Sequence, residues 1–131
     1  MEESGHREMR TLLDANACLR YLLNDIEDQA DEVTLAIERG AEVTIEVLAE
    51  VVYVLAGVYG VDCVTIQNIL TQLLDEVHCA RADVGKKSLK YYSKYNLDFV
   101  DCILLAESTV NGRSVLTFDK KLKNKIKALK V

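Results

Sequence analysis

The chain contains no proline and no tryptophan, and only six glycines and four cysteines among its 131 residues. So little glycine and proline excludes collagen-like and low-complexity chains, and so little cysteine excludes a disulfide scaffold. The cysteines are widely spaced and form no C-x-x-C pair, which argues against a zinc ribbon and a thioredoxin-type redox site. We therefore expect four reduced, mostly buried thiols that act as small apolar side chains.

The sequence also lacks an apolar run of the roughly 18 residues that a membrane span requires. Glu46 and Glu50 interrupt its most apolar region. Its N-terminus is polar and acidic, whereas a signal peptide begins with a basic segment followed by an apolar one. These absences predict a soluble, cytoplasmic protein that does not associate with a membrane.

Half of the residues are hydrophobic, which excludes a disordered chain. A chain of this length is the size of one domain and buries roughly two-thirds of its unfolded surface when it folds. The first apolar run begins almost immediately after Met9. We therefore expect a mobile extension at residues 1–8 and a single domain at residues 9–131.

The net charge of −5 hides an asymmetry along the chain. Residues 1–85 hold 17 acids, five arginines and no lysine, whereas residues 86–131 hold four acids and eleven bases. A local basic surface is therefore compatible with the acidic total. Phosphate binding depends on such local charge, although the same lysines equally suit solvated helix faces. The candidate phosphate contacts are Lys86, Lys90, Lys120, Lys121 and Lys123.

Short apolar runs alternate with helical patterns along the chain. We predict strands at residues 11–13, 42–45, 76–79 and 114–117, with two helices between consecutive strands. No tight turn joins one strand directly to the next, so the strands should lie parallel with helices on both faces. This order predicts an α/β protein, a three-layer α/β/α sandwich with a mostly parallel central sheet.

Carboxylates recur where such a sheet would form a functional crevice, beyond the carboxyl ends of its strands. They come from five positions: Asp14, Glu50, Asp98, Asp101 and Asp119. Converging carboxylates repel one another unless a cation neutralises them. All-oxygen ligands favour Mg²⁺ or Mn²⁺, which suit phosphodiester hydrolysis. Acids near helix starts also serve as caps, and that interpretation stays open, above all for Asp98 and Asp119.

Four segments resemble motifs of the PIN domain, the nuclease fold of VapC-type toxins in toxin–antitoxin pairs. They are LLDAN at residues 12–16, LAEVVYVL at 48–55, DFVDCILLA at 98–106 and VLTFDKKL at 115–122. Each motif is weak alone, but the four follow the family's order and together span nearly the whole chain.

The resemblance implies a Mg²⁺- or Mn²⁺-dependent endoribonuclease that forms a homodimer, cleaves an RNA substrate and is inhibited by a protein antitoxin. It makes Asp98 an accessory metal ligand, and it makes Asn16 and Thr117 polar residues that brace the site. It assigns catalytic and metal-binding roles to four acids: Asp14, Glu50, Asp101 and Asp119. The lysines named above would then contact the RNA backbone.

Two other classes of protein share parts of this pattern. A PIN fold that has lost turnover would bind protein or RNA without cleaving it, but the presence of all four acids argues against that alternative. A phosphorylatable receiver domain also carries acids at strand ends. Here the third predicted strand ends near His78 and Cys79 and offers no phosphoacceptor aspartate.

Overall fold

The computed structural model describes residues 10–130, which form seven α-helices and the segments that connect them. The helices are α1 Ala15–Leu23, α2 Glu27–Glu38, α3 Ile45–Gly57, α4 Cys63–Glu76, α5 Ala82–Lys94, α6 Phe99–Asn111 and α7 Lys120–Leu129. The predicted extension at residues 1–8 lies outside the described residues. Within residues 10–130, no helix has both the length and the apolar character needed to cross a bilayer.

The helix boundaries follow from local hydrogen bonding. Asp14, Thr44 and Asp119 each precede a helix and accept a hydrogen bond from a backbone N–H of its first turn, at 2.8, 3.2 and 2.9 Å. Helices α1 and α6 end at Asn24 and Gly112, whose φ angles of 51° and 66° are left-handed. Asparagine and glycine tolerate that conformation best. The predicted helices are therefore confirmed.

The predicted three-layer α/β/α sandwich with a mostly parallel sheet is wrong, because the part of the chain that the structure describes contains no strand. Two isolated parallel bridges join Leu12 to Glu42 and Glu42 to His78. A helix or its cap lies within two residues of each bridging residue, at Asp14, at Thr44 and at the end of α4. The backbone turns away before neighbouring residues can pair, so no ladder forms.

The fourth predicted strand, residues 114–117, forms no bridge to the other described residues. Leu116 and Phe118 are 89% and 90% exposed, and Val115 is half-buried. The segment lies beside α6, where Val115 and Leu116 share the wall of a cavity of about 300 Å³ with Ile103 and Leu104. It is therefore an exposed connection between α6 and α7.

The core is built around α3, against which α4, α5 and α6 pack. Four side chains of α3 are almost fully buried: Leu48, Val51, Val52 and Leu55. Gly85 lets α5 approach α4 closely, because a β-carbon at this position would lie 3.1 Å from Cδ1 of Leu74. The rings of Tyr92 and Phe99 meet edge to face, with 5.7 Å between their centres. This packing fixes the start of α6.

Helix α7 packs on α6, and its Leu122 side chain is buried in the core. The ammonium group of Lys125 lies 4.0 Å from the centre of the Tyr95 ring, which attaches α7 to the end of α5 as well. These contacts hold α7, and with it Asp119, against the α5–α6 pair.

The four cysteines are free, as predicted. Cys18 and Cys102 are buried, and Cys63 and Cys79 are half-buried. Burial raises the pKa of Cys18 and of Cys102 to about 12, with a further contribution from nearby aspartates. Thiols with so high a pKa are unreactive and pack as apolar groups.

Candidate functional site

The first turn of α6 presents two of the predicted acids. Leu97 and Phe99 are buried and anchor the backbone on either side of Asp98, which occupies the N-cap position with its side chain exposed. Asp98 makes no side-chain capping bond to its own helix. Asp101 lies in the first turn and is half-buried. The two carboxylates share one side of the helix, since residues three apart are neighbours on its surface.

Two other acids of the predicted site influence Asp101 electrostatically. Burial raises the pKa of Asp101, and the negative charges of Asp119 and Asp98 raise it further. Among the described residues, no ion pair involves any of these three carboxylates. Asp98 and Asp119 thus lie within electrostatic range of Asp101. We call these three residues the acid cluster, and no ion pair within residues 10–130 offsets their repulsion.

Asp119 enters the acid cluster from the start of α7. Its carboxylate caps the helix by accepting from the Leu122 N–H, and its own N–H donates to Oγ1 of Thr117 at 3.1 Å. Lys120 and Lys121 follow in the first turn of α7, and both are exposed. The helix dipole disfavours a cation at this end of a helix. The sequence therefore places positive charge next to Asp119 at a cost to the helix.

Glu50 belongs to α3, and it is exposed. Tyr53 lies three residues further along the same face of α3, and its hydroxyl donates a hydrogen bond to Oδ2 of Asp98 at 3.3 Å. Burial and the charge of Asp98 raise the pKa of Tyr53. Through this bond, the face of α3 that carries Glu50 meets the start of α6.

Asp14 and Asn16 lie at the start of α1, which packs on α2 and α3. The Asp14 carboxylate caps α1 by accepting a hydrogen bond from the Ala17 N–H. Asn16 is exposed and lines a cavity of about 400 Å³ together with Asp14, Arg20 and Glu32. The start of α1 therefore presents the Asp14 carboxylate at the edge of this cavity.

The predicted phosphate-binding lysines divide into exposed and engaged groups. Lys86 forms an ion pair with Asp75. Lys90 lies exposed on α5. The three others belong to α7 and are exposed: Lys120, Lys121 and Lys123. The lysines nearest in sequence to an acid of the cluster are therefore those that follow Asp119.

The donor chemistry of the acid cluster suits a hard divalent cation, because it consists only of carboxylate oxygens. Part of the rise in the pKa of Asp101, after the contribution of burial, reflects repulsion that such a cation would relieve. The positions of the side chains, however, do not form a complete metal site. Within the described part of the chain, no three side chains of histidine, cysteine, aspartate or glutamate lie in an arrangement that would hold a metal as they stand.

Two residues on the helices that carry Glu50 and Asp101 do not stand out in the sequence. Tyr53 has one available signal, its spacing of three residues from Glu50 on a helix. Glu107 on α6 is a charged residue that is nevertheless buried, and it pairs with Arg81. Arg81 is 26 residues away along the chain, so no local pattern reveals that pair.

Comparison with known proteins gives one family. A sequence model of the PIN domain matches residues 11–127, which contain every acid of the candidate site. No curated protein and no solved structure matches the chain significantly. PIN domains are usually nucleases and generally use divalent metal ions, which supports a nuclease-type hydrolase. Because the match covers most of its length, the chain belongs to the PIN-domain family.

Proposed function

We propose that the protein is a Mg²⁺- or Mn²⁺-dependent endoribonuclease. The observation that supports this proposal most directly is the acid cluster, in which the pKa of Asp101 is raised by burial and then by Asp119 and Asp98. Within residues 10–130 these carboxylates lack an ion-pair partner. Mutually repelling carboxylates are costly for a fold to keep, and a divalent cation is the ligand that offsets the cost.

In the proposed site, four carboxylates would hold the cation, and Asp98 would assist them: Asp14, Glu50, Asp101 and Asp119. When bound there, the cation would supply charge that polarises the scissile phosphate and lowers the pKa of a water molecule. Asp101 must be ionised to bind it, so the raised pKa of this residue makes metal binding weaken as the pH falls. The capping bond of Asp14 uses only Oδ1, so capping α1 would not prevent this residue from holding a cation.

Lys120 and Lys121 bind the RNA backbone in this proposal. They are exposed and immediately follow Asp119. The N-terminus of α7 adds the partial positive charge of its backbone N–H groups, which favours a phosphate at the same place. Positive charge beside a carboxylate cluster orients an RNA chain so that one phosphate lies over the acids.

We further propose that the enzyme is the toxin of a VapC-type pair, that it forms a homodimer and that a protein antitoxin inhibits it. The four motifs from residue 12 to residue 122 support this assignment. Expression of the wild-type chain would then arrest growth, whereas expression of Asp101→Asn would not.

The test of nuclease activity uses the purified chain and a structured RNA, with Mn²⁺ or with a chelator. The proposal predicts cleavage with Mn²⁺, loss of cleavage with the chelator, and loss in Asp101→Asn. The matched control is Asp28→Asn, which changes an exposed acid in the first turn of α2. Cleavage that survives in Asp101→Asn at the wild-type rate would contradict the proposed site.

A binding module without turnover is the second candidate. It is favoured by one observation, namely that no three metal-capable side chains among the described residues stand ready to hold an ion. This alternative predicts that the wild-type chain binds RNA equally well with and without Mn²⁺ and leaves it intact. The cleavage assay therefore separates the two candidates directly.

A further inference from the structure

We propose that Tyr53 is a positioning residue of this site. Its hydroxyl holds the carboxylate of Asp98 and thereby ties the helix that carries Glu50 to the helix that carries Asp101. The inference rests on the proposed function, because it assigns Tyr53 a role in aligning the acids that bind the cation.

The Asp98 side chain is bonded to a neighbouring helix and not to its own. Asp14, Asp98 and Asp119 all occupy N-cap positions. Asp14 and Asp119 accept a bond from a backbone N–H of their own helices, as N-cap aspartates usually do. Asp98 makes no such bond and instead accepts from the Tyr53 hydroxyl, 45 residues away in sequence. Its carboxylate is therefore held by α3 rather than by α6.

The bond joins two pairs of residues with the same spacing. Tyr53 lies three residues after Glu50 on α3, and Asp98 lies three residues before Asp101 on α6. Residues at this spacing occupy the same side of a helix. The hydrogen bond therefore connects the side of α3 that carries Glu50 with the side of α6 that carries Asp101.

The hydroxyl can be removed without disturbing the core. The Tyr53 side chain is 44% exposed, so Tyr53→Phe deletes the bond and leaves the ring in place. Tyr59 provides a matched control. It is 46% exposed and follows the end of α3. Its hydroxyl takes part in none of the side-chain hydrogen bonds found within residues 10–130.

The test measures Mn²⁺ binding by calorimetry in the full chain. This bond is long and exposed, so we assign it the strength of an ordinary hydrogen bond, roughly a 3- to 10-fold change in an equilibrium constant. We expect Tyr53→Phe to raise the dissociation constant for Mn²⁺ by that factor and Tyr59→Phe to leave it unchanged. In an Asp98→Ala background, Tyr53→Phe should cause no further loss, because Tyr53 acts through Asp98.

The Mn²⁺-binding experiment distinguishes failure of the positioning role from failure of the proposed function. If the wild-type chain binds Mn²⁺ and Tyr53→Phe binds it equally tightly, the positioning role is overturned while the proposed function stands. If the wild-type chain binds no Mn²⁺, the proposed function is overturned, and the positioning role falls with it. In that case, urea unfolding of Tyr53→Phe, Asp98→Ala and the double variant tests the hydrogen bond separately. If the two substitutions change the free energy of unfolding additively, the two side chains do not interact, and the bond is ruled out too.

Discussion

The carboxylate of Asp119 caps helix α7 and lies close enough to Asp101 to add to the rise in the pKa of Asp101 that burial causes. One side chain thus serves both a helix and the acid cluster. The two roles depend on different properties, because capping needs an oxygen acceptor whereas the effect on Asp101 needs a negative charge.

Two substitutions at Asp119 separate these roles. Asp119→Asn keeps an acceptor, so we expect stability to change by only about a few tenths of a kcal/mol, whereas Asp119→Ala should cost about 1 kcal/mol. Both remove the charge and should lower the pKa of Asp101, although burial keeps it above its ordinary value. Urea unfolding and NMR titration of the carboxyl groups measure the two effects. An unchanged pKa of Asp101 in both variants would mean that Asp119 does not face it.

Asp101 should lower stability at neutral pH. Its folded-state pKa is raised, so the folded protein holds the proton more tightly than the unfolded chain does. The contribution of Asp101 to the free energy of unfolding is therefore most favourable below the pKa that Asp101 has in the unfolded chain. It declines as the pH rises through the pKa that Asp101 has in the folded protein. Asp101→Asn removes this penalty, and we expect a gain of roughly a few tenths of a kcal/mol at neutral pH. Urea unfolding across the pH range in which carboxyl groups titrate measures it, and a variant less stable than wild type at neutral pH would refute the expectation.

Glu107 should contribute stability that is lost in acid. Hydrogen bonds from Asn111 and then Arg81 lower the pKa of this buried carboxylate. Its contribution is therefore present above the unfolded pKa and disappears as the pH falls through the lower, folded pKa. We expect Glu107→Gln to cost about 1–3 kcal/mol at neutral pH, because it removes a charged acceptor and leaves Arg81 without its partner.

The control for Glu107 is Glu38→Gln, which changes an exposed acid at the end of α2. Surface changes of this kind alter stability by about 0.5 kcal/mol or less. Equal effects of the two substitutions in thermal or urea unfolding would show that the contacts of Glu107 with Arg81 and Asn111 do not stabilise the fold.

Lys120 and Lys121 should affect RNA binding through their position rather than through net charge. We expect the double variant Lys120→Gln and Lys121→Gln to bind RNA more weakly. The slope of log affinity against log salt concentration should become shallower by about one for each phosphate contact that is lost. The control removes the same charge near the other end of α7, with Lys127→Gln and Lys130→Gln. Binding titrations at several salt concentrations compare them, and equal weakening would point to net charge alone.

The helices were predictable from the sequence because their information is local. The apolar positions of α3 recur at helical spacing, and Asp14, Asp98 and Asp119 stand at the helix starts. The sheet was not predictable in the same way. Leu12, Glu42 and His78 come together as expected for parallel segments, but the caps next to them limit each contact to a single bridge.

The candidate site was predictable only in part. The spacing of Asp98 and Asp101 places them together on any helix. The proximity of Asp119 depends instead on how α7 packs on α6, and the bond from Tyr53 to Asp98 depends on how α3 meets α6. Glu107 illustrates the same limit, because its partner Arg81 is distant in sequence. Contacts between helices far apart in the chain have no local sequence signal.

Binding of a divalent cation by the acid cluster is the central claim. NMR titration of the metal-free protein with Mg²⁺, observing the side-chain carboxyl carbons, tests it most directly. If the claim is right, the resonances of Asp98, Asp101 and Asp119 shift together and saturate, and Asp101→Asn abolishes the response of the other two. Carboxyl resonances of the acid cluster that stay unchanged through the titration would contradict it.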